Sequence, residues 1–221
     1  MSLLGAMTHT EVRFTLPVSG LLDIARARLA RQTQYARALD KGGKRAEGLA
    51  AWFDQASACI TALARPEAFF MPVTTTMTDR GVLLADRVLL EGIVDANDLQ
   101  RGATITAYLL TLNYTQAQAF DWLGKDYGAH HVQSDLGGEV LFALGRDAHR
   151  YLRNNAATGR TRRIPVLASE QCGVRRSWDP ARVQALLSVF DNANPGFKVT
   201  DTGCFQPLNS LLGLALHLPD D

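Results

Sequence analysis

GFKVTDTGCFQPLNSLLGLALHLP, residues 196–219, is the stretch whose reading decides the fold. It follows directly on a turn signal, Asn194-Pro195-Gly196, where proline and glycine favour chain reversal. Phe197, Val199 and the residues after Gly203 are apolar or β-favouring, and a second turn is expected at Gln206-Pro207-Leu208-Asn209. Leu211, Leu212, Leu214, Ala215 and Leu216 then form an apolar run bounded by Ser210 and Pro219. The run is short for a helix and reads as a buried strand. On local pattern alone it closes an ordinary core.

The same residues carry an ordered spacing. A glycine is followed by Lys198-Val199-Thr200-Asp201, then by Pro207, Ser210, Gly213 and Pro219, without a gap. In this spacing the stretch resembles the end of the activation domain of cobalamin-dependent methionine synthases, which binds S-adenosylmethionine for reductive remethylation. The likeness extends over roughly Trp52 to Pro219.

Composition sets the outer bounds. A chain of 221 residues holds one large or two small domains. Apolar residues make up 47% and charged residues 20%, which allows a sizeable core and argues against disorder. The net charge of +1 argues against a general nucleic-acid binder. Cys59, Cys172 and Cys204 are widely spaced, with no Cys-x-x-Cys pair, so a reduced, cytoplasmic setting is expected. The start, MSLLGAM, does not read as a signal peptide, and Met7 is a candidate natural start. No apolar run is long enough to span a membrane.

From Pro17 to Arg65 the spacing predicts a helical hairpin. Leu21, Leu22, Ala25, Leu29, Ala36 and Leu39 mark the first arm. Lys41-Gly42-Gly43-Lys44 breaks it, and Leu49, Trp52, Phe53, Ala56, Ile60 and Leu63 mark the second arm, which stops at Arg65-Pro66. Arg26, Arg28, Arg31 and Arg37 form either a solvated face or a phosphate-binding one. Trp52 and Phe53 are expected in the core or at a docking contact.

Short strands are expected in Phe69–Thr76, Gly81–Leu84 and Val88–Leu90, with a turn at Asp79-Arg80-Gly81. A helical turn or two from Asp95, a candidate N-cap, ends at Gly102. Ala103 to Leu112 is the clearest strand, apolar throughout as a central strand would be. It ends at Asn113, where the resembled family has glycine; asparagine tolerates left-handed backbone angles. A helix from Thr115 to Leu123, a loop at 124–128 and the longest helix, Ala129 to Asn155, follow. Val132, Leu136, Val140, Leu144, Ala148 and Leu152 form its apolar ridge. Gly137-Gly138 lies inside it, at about 1 kcal/mol per glycine relative to alanine, which points to a close approach by a neighbouring element or ligand.

His131, Asp135 and Glu139 line a stripe beside that ridge. A solvated edge or buried network, a ligand-facing stripe and a metal site all remain open. The family resemblance bears on the stripe: Asp135-Leu136-Gly137-Gly138-Glu139 is similar to a run carrying a glutamate that faces S-adenosylmethionine and the corrinoid. It implies Glu139, with Asp135, as cofactor-binding residues.

Thr158 to Trp178 reads as a long loop, bearing Arg160, Arg162, Arg163, Arg175 and Arg176 against Glu170 alone. An exposed basic loop, a site for an anionic small molecule and a dock for an acidic partner are all compatible with it. In the resembled family an Arg-x-x-x-Gly-Tyr motif after the long helix holds the amino acid end of S-adenosylmethionine. Arg163 starts the corresponding segment, but Val166-Leu167 replaces Gly-Tyr, and Ala215 stands where the family has a second tyrosine. The ligand motif is thus degraded. Trp178-Asp179-Pro180 opens a last helix, with Val183, Leu186, Leu187 and Phe190 on its apolar face.

Catalytic signals are sparse. Cys172 has arginines nearby that could lower its pKa. The five histidines, at 9, 130, 131, 149 and 217, have no zinc-like spacing with the cysteines. Walker and dinucleotide-binding glycine patterns are missing.

The expected fold is α+β: an N-terminal helical hairpin (1–66) packed on an activation-domain-like domain (67–221), whose twisted, mostly antiparallel sheet is covered by helices. The resemblance implies a stand-alone relative of the activation domain. It would support reductive reactivation of a corrinoid-binding methyltransferase module, bind S-adenosylmethionine weakly, and meet cobalamin only through that partner. An electron-donor flavoprotein is a further implied partner; neither nucleic acid nor membrane is. The alternative is a small-molecule-binding or scaffold protein that kept the fold and lost the methyl-donor site. An enzyme using Cys172 is a third reading.

Overall fold

A computed structural model describes residues 12–91, 94–155, 159–164, 180–190, 196–201 and 204–219. Its centre is a five-stranded antiparallel sheet made of β1 (Val12–Thr15), β2 (Glu67–Val73), β6 (Thr104–Thr111), β10 (Ser210–Leu218) and β7 (Arg160–Ile164). The strand order is β1-β2-β6-β10-β7. The apolar run that opened the sequence reading is β10, paired with β6 from Ser210↔Thr111 to His217↔Thr104.

Strand alternation explains why β6 and β10 are apolar on both faces. Tyr108, Leu110 and Ala215 enter one core cluster; Ile105, Ala107, Leu109, Leu212, Leu214 and Leu216 enter the other. The first face is covered by α1 (Val18–Leu29), α2 (Thr33–Asp40), α3 (Gly43–Leu63), α5 (Gln116–Leu123) and α6 (Tyr127–Asn155). The second face carries a small antiparallel sheet, β3 (Thr75–Thr78), β4 (Gly81–Leu84) and β5 (Val88–Leu90), with α7 (Pro180–Leu187) beside it. A short helix, α4 (Ala96–Gln100), lies between β5 and β6, and β8 (Lys198–Val199) pairs with β9 (Phe205–Gln206). Antiparallel strands need no crossover helices, so most helices gather on one face, and the other is covered by the hairpin sheet and α7.

Local signals acted as their chemistry predicts. The Asp95 side chain accepts the Asn97 N–H and caps α4. Thr115 and Gln118 form a reciprocal capping box at α5. Asn113 adopts φ 63°, and its amide donates to Glu67 at 2.8 Å, so asparagine supplies both the left-handed turn and an anchor.

Two local expectations are corrected, and a third is divided between its alternatives. The first hairpin arm is two helices, because Gln32 turns extended (ψ 139°) and breaks the run between Leu29 and Thr33. The segment Arg160–Ile164, expected within a loop, is an edge strand on β10, with Arg163 opposite Ala215. Trp52 is 38% exposed and lies over Gly128, whereas Phe53 is core. The strand β1 had no sequence expectation. The turn at Asn194-Pro195 and the loop bearing Val166, Leu167, Cys172, Arg175 and Arg176 lie outside the described residues.

Candidate functional site

The long helix α6 carries the candidate residues, and its two halves have different surroundings. In the first half, Glu139 is only 8% exposed. Gln32 donates to its Oε1 at 3.0 Å, and Arg28 Nε lies 3.3 Å from its Oε2. Asp135 accepts the Tyr35 hydroxyl at 2.6 Å, with His131 Nε2 3.9 Å away. Burial, then the hydrogen bond and charge of Asp135, push the Tyr35 phenol well above its ordinary range, so it stays a donor. The stripe is therefore packed against α1 and α2. A buried carboxylate needs such partners, since an unpaired one is costly to desolvate.

Gly137 lies on the same half. A Cβ there would stand 3.0 Å from the Tyr114 hydroxyl and 3.2 Å from Asn209 Nδ2, so the expected close approach is by protein. Gln133 and Asn209 both donate to that hydroxyl, at 2.7 and 2.8 Å. This network joins α6, the end of β6 and the start of β10, and was not foreseen. Nothing lies within 4 Å of a Cβ at Gly138.

The second half of α6 faces β7. Arg163, exposed on that edge strand, donates to the Gly145 carbonyl at 3.1 Å. Among the described residues no hydrogen bond or ion pair joins it to Glu139 or Asp135. Gly145 is about 9 Å further along the helix than Glu139, at 1.5 Å per residue. The structure thus brings Asp135 and Glu139 together and places Arg163 apart from both.

Around Arg163 stand His149, His217 and Tyr108. The His149 imidazole is pushed below its ordinary value by burial, then by Arg163 and Arg153. Burial and then His149 lower His217, whose ring nitrogens lie 3.0 Å from the hydroxyls of Thr161 and Thr106. His149 Nε2 is buried without a hydrogen-bond partner. Burial raises Tyr108, and the charge of Arg163 opposes the shift. This edge presents a guanidinium beside neutral imidazoles, chemistry that suits a carboxylate. The histidines were visible in the sequence, but their approach depends on strand pairing that spacing does not encode.

No group of three or more histidine, cysteine, aspartate or glutamate side chains is arranged to hold a metal among the described residues. Nor is any described helix long and apolar enough to cross a membrane. The Cys59 thiol is buried and pushed up to about 11 by desolvation, which makes it unreactive.

No family model and no curated protein matches the sequence. Among solved structures, the chain is similar to a crystal structure of the MetH reactivation domain bound to AdoHcy. The two share a TM-score of 0.58 and 14% identity, over 97% of this chain and 80% of that one. At that identity the likeness shows the fold: the chain has the α+β, mostly antiparallel architecture of the MetH reactivation domain, as the family resemblance implied.

Proposed function

We propose that this chain is a reactivation-domain-like module. It docks on a corrinoid-binding methyltransferase module, supports reductive reactivation of the corrinoid, and binds S-adenosylmethionine weakly at the β7 end of α6. The observation that carries the reading is the fold likeness across 97% of the chain to a domain with bound AdoHcy. S-adenosylmethionine, when bound, supplies the methyl group; the cobalt chemistry belongs to the partner, as does electron delivery from a flavoprotein. Arg163, on an exposed edge strand, would take the ligand carboxylate. Glu139 and Asp135 would act behind it, fixing α6 against α1 and α2, because their carboxylates are already engaged. The setting is cytoplasmic.

One observation favours a second reading. The partners filling the Glu139 stripe, together with Val166-Leu167 in place of Gly-Tyr, fit a small-molecule-binding or scaffold protein that kept the fold and lost the methyl-donor site. Calorimetric titration with S-adenosylmethionine and with AdoHcy separates the two. Micromolar binding that Arg163→Ala abolishes supports the first. No heat and no thermal stabilisation at millimolar ligand supports the second.

A further inference from the structure

The opposite face of the molecule holds a feature that the adenosyl-ligand reading does not use. Strand β5, the turns on either side of β4 and the start of α7 border an open groove of about 420 Å³. That volume is in the range of small-molecule sites, ~300–1,000 Å³. Among the described residues its lining includes three arginines, Arg80, Arg87 and Arg182, and a single carboxylate, Glu91. Val88 and Ala185 add apolar surface.

The arginines come from three elements, and β5 sets their order. Arg87 immediately precedes β5 and is bound to Ser188, at 3.3 Å to the carbonyl and also to the hydroxyl. Arg182, in the first turn of α7, donates to the Leu89 carbonyl at the middle of β5, at 2.6 Å. Arg80, in the β3–β4 turn, meets Glu91 just past the other end. Arginines from three elements thus border the one groove. Contacts of this kind hold each planar fork in one orientation and lower the ordering cost of binding an oxyanion.

We infer that this groove binds an elongated, phosphate-bearing small molecule of the pyrophosphate or nucleoside-diphosphate class. Guanidinium groups brought to one groove from three elements are met by a chain of phosphates, each able to accept two guanidinium N–H bonds, better than by a single small anion. The inference is independent of the adenosyl-ligand reading: S-adenosylmethionine carries no phosphate, and Arg163 lies on the other face of the sheet.

The test is calorimetric titration with inorganic pyrophosphate, tripolyphosphate and ADP, on the unchanged chain and on Arg80→Ser, Arg87→Ser and Glu91→Gln. Arg182 is left in place because it ties α7 to β5. Binding should weaken about tenfold or more in each arginine variant, the loss of one charge-assisted contact. Glu91→Gln should tighten it about threefold by removing the one negative group among the described lining residues. ADP binding tighter than pyrophosphate would support the site and assign its apolar surface to the nucleoside. Equal binding of ADP and pyrophosphate would support it as a phosphate-chain site. No binding of any of the three at millimolar concentration, binding unchanged in the arginine variants, or weaker binding in Glu91→Gln would overturn the inference.

Discussion

The two halves of α6 are built from similar residue types and end in opposite situations. Around Glu139 and Asp135, Gln32 at the start of α2 and Tyr35 within it each donate to one carboxylate, and the second Glu139 oxygen, without a hydrogen bond, faces the Arg28 guanidinium at 3.3 Å. Around Gly145 and His149, an exposed guanidinium leans on a backbone carbonyl beside a buried imidazole nitrogen with no partner. The difference teaches that charge and spacing nominate a helix face, while the element packed against it decides its use. Here the first half anchors the fold, and the second half is where the proposed ligand would bind.

The largest expected effect breaks the second half. A Cβ at Gly213 would lie 2.1 Å from the Tyr108 ring, next to the strand that carries Arg163. Gly213→Ala should cost about 3 kcal/mol in urea unfolding, the upper range for overpacking. Unchanged stability would mean that the ring has room to move aside.

Next comes the first half. Glu139→Ala should cost about 1–2 kcal/mol by leaving Gln32 and Arg28 without their acceptor, discounted because the Arg28 side chain is 46% exposed. Arg163→Ala should stay within about 0.5 kcal/mol, as an exposed edge residue. A reversed order in thermal unfolding would exchange the roles of the two halves.

The glycine pair gives a smaller effect of opposite sign. Gly138→Ala should stabilise by about 0.5–1 kcal/mol, since a methyl meets nothing and alanine is the better helix former. Gly137→Ala should gain nothing, because its methyl crowds the Tyr114 hydroxyl.

The smallest effect is on pH. His149 and His217 are held below 6.5 in the folded chain, so below that pH the unfolded chain binds protons that the folded one does not. Their contribution is full above pH 6.5 and is lost as pH falls toward the lowered values. His149→Gln with His217→Gln should flatten the slope of stability between pH 6.5 and 5, a window of about 1.5 units below the ordinary histidine value. An unchanged slope would place the proton linkage elsewhere.

Much of the fold was legible because it is written locally. The run at 210–218 and the strand at 104–111 carry apolar residues on both faces, as strands buried on both sides do. Asn113 and the Gly137 close approach were readable from backbone preference and helix cost. β1 was missed because its four residues are mostly exposed and gain order only by pairing with β2. β7 was missed because an arginine-rich segment has no apolar alternation. For the site, i,i+4 spacing placed Asp135 beside Glu139, but the partner of Glu139 lies 107 residues away, beyond any local signal. The groove along β5 was hidden likewise, since Arg182 joins Arg80 and Arg87 only when α7 packs on the hairpin sheet.

The most direct test of the account is mapping AdoHcy and S-adenosylmethionine onto the chain by amide chemical-shift perturbation. The account predicts shifts clustered at Gly145, His149, Arg163 and His217, with Gln32, Asp135 and Glu139 unmoved. Shifts centred on Glu139 and Asp135, or none at millimolar ligand, would contradict it.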